Sequence, residues 1–293
     1  MGVRTDRLVR PLAWASVVAN VLIVVTGGAV RLTGSGLGCP TWPRCTDESF
    51  RPHGALQFHQ AVEFGNRTLT FVLTAVAIAT LVVCWRTGRR DLRLMSAIAF
   101  LGIPFQAVIG GITVLTDLNP WIVSLHLLLS MAIIGVTVRL LLAVRGPLPP
   151  ARRGPTVGLA WATFAAAWAV LYVGTVVTGS GPHAGDAETE RNGLDPLQVS
   201  QLHADLVFLF VGLTLGLLFL LMAVGAPHAA RQAVLVLLVV ELAQGTIGFV
   251  QYFTDLPEVL VGFHMLGAAL VSACVTWVLL RVRRPVLDAA HAS

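Results

Sequence analysis

Apolar residues fall into eight continuous runs, at about 12–30, 59–85, 94–115, 121–143, 157–178, 200–225, 233–253 and 258–280. Crossing about 30 Å of hydrocarbon takes roughly 20 helical residues, a length these runs approach or exceed. They are continuous rather than alternating, which predicts helices and argues against the period-two strands of a membrane β-barrel. The first run is too long, and too well integrated with a later repeat, to be a cleaved leader. The predicted fold class is all-α: a polytopic membrane protein with eight transmembrane helices.

The pattern also repeats. Thr116-Asp117-Leu118 leads after seven residues to His126, and Thr254-Asp255-Leu256 leads in the same way to His264. The shift of 138 residues also carries Gln106 onto Gln244 and Gly110 onto Gly248. Thr33-Gly-Ser-Gly36 recurs as Thr178-Gly-Ser-Gly181, and Gln57-Phe-His59 recurs as Gln201-Leu-His203. The chain therefore reads as two tandem pseudo-symmetric four-helix bundles, 1–150 and 151–293, joined by the Pro/Gly/Arg stretch 145–155, which cannot continue a helix. Four helices per half make the repeats parallel, and such bundles build cofactor sites from facing side chains.

Composition agrees with a membrane protein: 56% of residues are hydrophobic, 12% are charged, and the mean hydropathy is +0.79. The net charge of +5 comes from arginine alone, since the chain has no lysine. Arg4, Arg7, Arg10, Arg86, Arg89, Arg90, Arg93, Arg145, Arg152, Arg153, Arg231, Arg281, Arg283 and Arg284 fall on one side. Most acids fall on the other. The positive-inside rule then places both termini in the cytoplasm, and the cell membrane is the expected location. The basic charge is an orientation signal; no basic patch interleaved with aromatics points to nucleic acid.

Four histidines, His59, His126, His203 and His264, lie in or at the outer ends of even-numbered helices, at an expected similar depth. A lone intramembrane histidine is most often a hydrogen-bonded structural residue. Four at matched repeat positions are different, because polar intramembrane side chains are costly and usually functional. Paired neutral imidazoles suit heme iron; zinc or copper is the weaker alternative, without carboxylates or thiolates at metal-site spacing. From His59, residues Glu63, Asn66 and Thr70 follow at i+4, i+7 and i+11 on one helix face, with Arg67 flanking. The matching face after His203 carries Val207, Phe210 and Thr214. Only the first half has a carboxylate beside its histidines, which suggests one half that does chemistry and one that holds a cofactor. Glu63 could instead form an internal salt bridge with Arg67. Cys39 and Cys45 lie outside the membrane, where disulfides persist, as a structural staple or a redox relay. Cys84 and Cys274 read as small core residues, His53 and His183 as loop residues, and His228 and His291 as solvated. Glu241 shares a face with Gln244, Gly248 and Gln251, without an assigned role.

At this point the chain resembles the heme A synthases, over nearly its whole length. The residues that carry the resemblance are Thr33-Gly-Ser-Gly-Leu-Gly-Cys-Pro-Thr-Trp-Pro-Arg-Cys45, Glu63-Phe-Gly-Asn-Arg67 and the contexts of His126 and His264. The Glu-Phe-Gly-Asn-Arg form looks actinobacterial. The resemblance implies an oxidoreductase that converts heme O to heme A by oxidising a porphyrin-ring methyl to a formyl group through successive hydroxylations. It implies a resident heme b in the second half, for which His203 and His264 are the candidate iron ligands. In the first half it implies the heme under oxidation, with Glu63 catalytic; His59, His126, Asn66 and Arg67 are the candidate residues that bind it. A Cys39–Cys45 disulfide is implied as well. The implied partners are heme O, heme O synthase, a membrane electron donor, the lipid bilayer and further copies of the chain.

One departure stands out. Many members carry Glu-x-x-His-Arg in the second helix, where this chain has Asn66, with Phe210 at the matching place. His59 and His203 stand seven residues earlier, about 10 Å nearer the outer surface. The competing reading is a non-catalytic di-heme b-type cytochrome, which would need the histidines but neither Glu63 nor the asymmetry. A transporter would show broken helices at the midplane. Prenyl transfer to heme would need paired aspartate-rich motifs, which do not occur in or beside the helices.

Overall fold

A computed structural model describes residues 2–52, 57–148 and 154–283. His53, His291, Arg152, Arg153, Arg284 and the middle of the 145–155 join lie outside the described residues. The chain forms α1 (Gly2–Leu32), α2 (Phe58–Arg86), α3 (Arg90–Leu115), α4 (Pro120–Ala143), α5 (Pro155–Ser180), α6 (Pro196–Ala223), α7 (His228–Phe253) and α8 (Glu258–Val282). All eight are long and apolar enough to span a membrane, so the chain is a multi-pass membrane protein.

Helix starts follow local chemistry. Asn119 and Asp195 accept hydrogen bonds from the Trp121 and Leu197 amides at 3.0 and 2.9 Å, with Pro120 and Pro196 in the first turn. The Thr-Asp-Leu motif ends α3 and α7. Asp117, Leu118, Asp255 and Leu256 all adopt positive φ, between 49° and 59°. The Leu118 and Leu256 amides reach back to the Thr113 and Gln251 carbonyls at 2.8 and 3.0 Å. Aspartate tolerates this conformation; leucine adopts it only under tertiary constraint. For Leu118 the constraint is visible, because its buried side chain wedges between Gly36 and Gly185.

Helices α1–α4 close one ring of neighbours and α5–α8 a second. The rings meet through α4–α8, α1–α8 and α4–α5, a set that maps onto itself when α1 exchanges with α5 and α4 with α8. Small residues allow close approach there. Gly28 lies under Met265, Gly135 lies beside Thr276, and the Ser272 hydroxyl donates to the Met131 carbonyl at 2.8 Å. At the end bearing the four histidines, the loops of the two halves are stitched together. The Gly36 amide donates to Gly185 O at 2.8 Å, and Arg31 donates to His183 O and Thr178 O at 2.5 and 2.9 Å.

Within each ring the diagonal helices α2 and α4, and α6 and α8, have no direct backbone contact among the described residues. Space between diagonals is where a four-helix bundle holds a cofactor. The apolar cores differ between rings. The second has one continuous cluster that includes Phe210, Leu217, Leu237 and Val275, whereas the first has small separate clusters around Leu92 and around Leu73 and Ile103.

Candidate functional site

Across the α6–α8 diagonal, the rings of His203 and His264 face each other with centroids 6.5 Å apart and planes at 67°. Two imidazoles sharing one metal at about 2 Å per bond have centroids roughly 6 Å apart. The Nδ1 atoms of both rings are buried and lack a protein partner. A buried nitrogen without a partner is costly, and a ligand bound at that nitrogen would satisfy it. Among the described residues, no group of three or more His, Cys, Asp or Glu gathers around a bare ion. A facing pair of imidazoles is the donor set that would suit a heme iron, and His203 and His264 are the residues that would hold it.

The repeat is explained by how α4 and α8 hold their histidines. Gln106 and Gln244 donate to the carbonyls of His126 and His264, each at 2.9 Å. Gly110 and Gly248 then form the surface under the rings; an added Cβ would stand 3.2 and 3.6 Å from the ring carbons. Gln106 also contacts Ser130. Gly174 of α5 does the same for His203, at 3.1 Å; it has no glycine counterpart in α1, so the repeat did not reveal it.

The first half is not a copy of the second. His59 stands in the first turn of α2 and is exposed, while the other three histidines lie one and a half turns or more inside their helices and are half-buried. The halves therefore differ in more than Glu63, and the cause is local. After Leu32 helix α1 breaks, with Gly34 at φ +63°, and the Ser35 hydroxyl comes within 3.0 Å of His59 Nδ1. In the second half α5 continues through Ser180, whose hydroxyl turns back to Val177 O. A partner on Nδ1 directs Nε2 of His59 toward any incoming group. His126 keeps a buried Nδ1 with no partner, and no ring contact joins it to His59 among the described residues.

Glu63 is buried, and both of its oxygens are engaged. The Cys39 amide donates to Oε2 at 2.5 Å, and Arg67 donates to Oε1 from Nε at 3.0 Å and from a terminal nitrogen at 2.5 Å. The salt bridge left open by the sequence is therefore formed. Arg67 goes on to the carbonyls of Cys39, Thr41 and Arg44. The pair thus anchors the loop closed by the Cys39–Cys45 disulfide. Trp42 of this loop lies flat against Gly111 of α3. Asn66, one turn below, accepts from the Thr26 hydroxyl at 2.8 Å. Phe210, its counterpart, is buried in the apolar core.

Residues with weaker claims also find their places. Cys84 and Cys274 are free thiols packed in the helical cores, and His228 is exposed at the start of α7. His183 Nε2 lies 2.9 Å from the Leu256 carbonyl, a loop clamp. Glu241 is buried; its Oε1 accepts from Thr214 at 2.7 Å, and its Oε2 has no partner.

Taken together, fold and site define a multi-pass α-helical membrane protein with a facing histidine pair across the diagonal of its second bundle. Residues 10–188 match the family described as cytochrome oxidase assembly protein. That match covers more than half of the chain, and the chain belongs to this family. It includes His59, Glu63 and His126, and it ends before His203 and His264. The chain is 32% identical over 154 residues to a heme A synthase of Geobacillus thermodenitrificans, covering 51% of this chain and 47% of that protein. It is 30% identical over 169 residues to a heme A synthase of Halalkalibacterium halodurans, covering 55% and 56%. The chain spans about half the length of the curated relatives it matches.

Proposed function

We propose that this chain is a heme A synthase: it oxidises a porphyrin-ring methyl group of heme O to a formyl group. The observation that carries this reading is the inequality of two otherwise matched sites. His203 and His264 form a closed pair, which suits a resident heme b. His59 is exposed near Glu63 and makes no ring contact with His126 among the described residues, an open arrangement that suits a heme that must enter, react and leave. A di-heme electron carrier has no use for that difference. Residues 1–150 are then the substrate half and 151–293 the resident-heme half. The histidine end faces outward, with both termini in the cytoplasm of a cell whose plasma membrane holds the protein.

A bound heme b supplies one-electron redox chemistry. The protein's own residues orient and enclose. Gln244, Gly248 and Gly174 hold the His264 and His203 rings that would bind the resident heme; Gln106 and Gly110 hold His126, which would face the substrate. Ser35 fixes the His59 ring, and the disulfide loop covers that end of the first half. In this reading Glu63 takes up or passes on protons, or steadies positive charge, as the methyl is oxidised. Its saturation by Arg67 and the Cys39 amide also favours a second role, clamping the loop.

Extraction of hemes from cells expressing this chain together with a heme O producer tests the reaction. Heme A is expected; heme O alone overturns the proposal. The ring cradle has its own test. A Gly174→Leu substitution is expected to crowd His203 and lower the heme b content of the purified protein several-fold, roughly the effect of losing an outer support of a metal ligand. Unchanged heme content would show that the His203 ring tolerates displacement.

A further inference from the structure

Arg31, in the last turn of α1, is a half-buried charge that the proposed reaction does not use. Its side chain crosses to the second half, where Nε and a terminal nitrogen donate to the carbonyls of His183 and Thr178. Three of the five guanidinium N–H groups are left without a protein partner. Arg191 stands close enough to repel it, and is itself held by the carbonyls of Thr189 and Pro182 at 2.7 and 2.9 Å. Carbonyls orient both guanidiniums but do not neutralise them. The ion pairs among the described residues join Arg67 to Glu63 and Arg89 to Asp91. Neither Arg31 nor Arg191 has a carboxylate, although Asp186, Glu188 and Glu190 lie in the same loop. Like charges brought together without a counter-ion at the edge of hydrocarbon are costly, and their arrangement suits an anion.

Contacts with α5 and α8 locate Arg31 relative to the facing histidines. Gly28 of α1 lies under Met265, the neighbour of His264, and Leu32 lies against Gly262. On α5, Gly174 faces the His203 ring. Thr178, whose carbonyl holds Arg31, stands one turn nearer the helix end, about 6 Å along the axis. Arg31 therefore bridges the seam between α5 and α8, about one turn beyond the rings toward the nearer polar end. The rings themselves belong to residues only about 10 Å inside α6 and α8. Heme carries propionate carboxylates at its edge, and within a membrane these need water or a cation. The repeat supplies a comparison. The shift of 145 residues carries Arg31 onto Val176, buried near the place where Gly179 of α5 touches Pro120 of α4. The half with the facing pair has arginine at this place; the half proposed for the substrate has valine.

We propose that Arg31, with Arg191 behind it, binds a propionate carboxylate of the resident heme. The remaining N–H groups of a guanidinium form the fork that suits carboxylates, and such charge-assisted bonds are the strong ones. The proposal rests on the reading of His203 and His264 as the resident-heme ligands. It also gives the valine a reason: a substrate heme that has to leave is not clamped by its carboxylates. The test uses heme b and its dimethyl ester, which keeps iron and ring but loses the negative charges. Protein purified from heme-starved cells is titrated with each compound, and the Soret absorbance reports the affinity. For the unsubstituted chain, esterification is expected to weaken binding roughly tenfold, the size of one hydrogen bond to a charged group. In Arg31→Gln, heme b is expected to bind about as weakly as the ester, with little further cost of esterification; Arg31→Lys recovers part of the difference. If Arg31 only stitches the halves together, its loss weakens both compounds alike, and an unchanged ratio in Arg31→Gln overturns the proposal. The ratio also cancels any preference of the ester for detergent. Equal affinity of the unsubstituted chain for the two compounds overturns the proposal alone, without recourse to a variant. Uptake of neither compound overturns the resident-heme reading and the proposal together.

Discussion

His264→Ala and His203→Ala are each expected to strip b-type heme from the purified protein, whereas His126→Ala leaves that absorbance in place. The two rings meet across a diagonal where the helices themselves do not touch, so neither has a substitute nearby. Loss of an outer support for a metal ligand already weakens binding by about 10–100-fold, and loss of the ligand itself exceeds that. The measurement is the Soret absorbance per polypeptide. If both alanine variants keep it in full, the resident heme lies elsewhere and the assignment of the two halves is wrong.

The second large effect concerns Glu63. Glu63→Ala leaves Arg67 without its counter-ion and the Cys39 amide without its acceptor. Breaking a buried ion pair costs about 3–5 kcal/mol, and the lower end applies because a quarter of the Arg67 side chain remains exposed (24%). A clear fall in Tm and loss of heme A formation are both expected. Glu63→Gln separates the two roles, since its carbonyl oxygen still accepts from the Cys39 amide while the charge is gone. A catalytic carboxylate predicts Glu63→Gln inactive, with most of the Tm recovered. Full activity in Glu63→Gln would reduce Glu63 to a clamp.

Much of this architecture was legible in the chain. The eight spans were plain because lipid demands long apolar helices with every backbone group satisfied internally. Their starts were less plain: α1 begins at Gly2, about ten residues before the apolar run, because its first turns carry Arg4, Asp6, Arg7 and Arg10. Hydropathy reports the embedded part of a helix, not its full length. For α6, by contrast, Asp195 and Pro196 mark the start in the sequence itself. The histidine frame was legible because duplication copied Gln, Gly and His together.

Where the halves diverge, sequence equivalence misled. His59 aligns with His203 but has a different environment, because α1 breaks at Leu32 while α5 runs on to Ser180. That difference lies in loop geometry, which the shared Thr-Gly-Ser-Gly motif conceals.

The open diagonal of the second half has a consequence for how the protein is made. Around His203 and His264 the two helices are bridged by side chains alone, so a ligand held there acts as part of the packing. Anything that binds only the folded form stabilises it in proportion to its supply, by about 2.7 kcal/mol at a hundred times the dissociation constant. Under the proposed reading, a cell short of heme would accumulate a slack second half, more open to membrane proteases. The abundance of the enzyme would then follow the availability of its own cofactor, without any regulator.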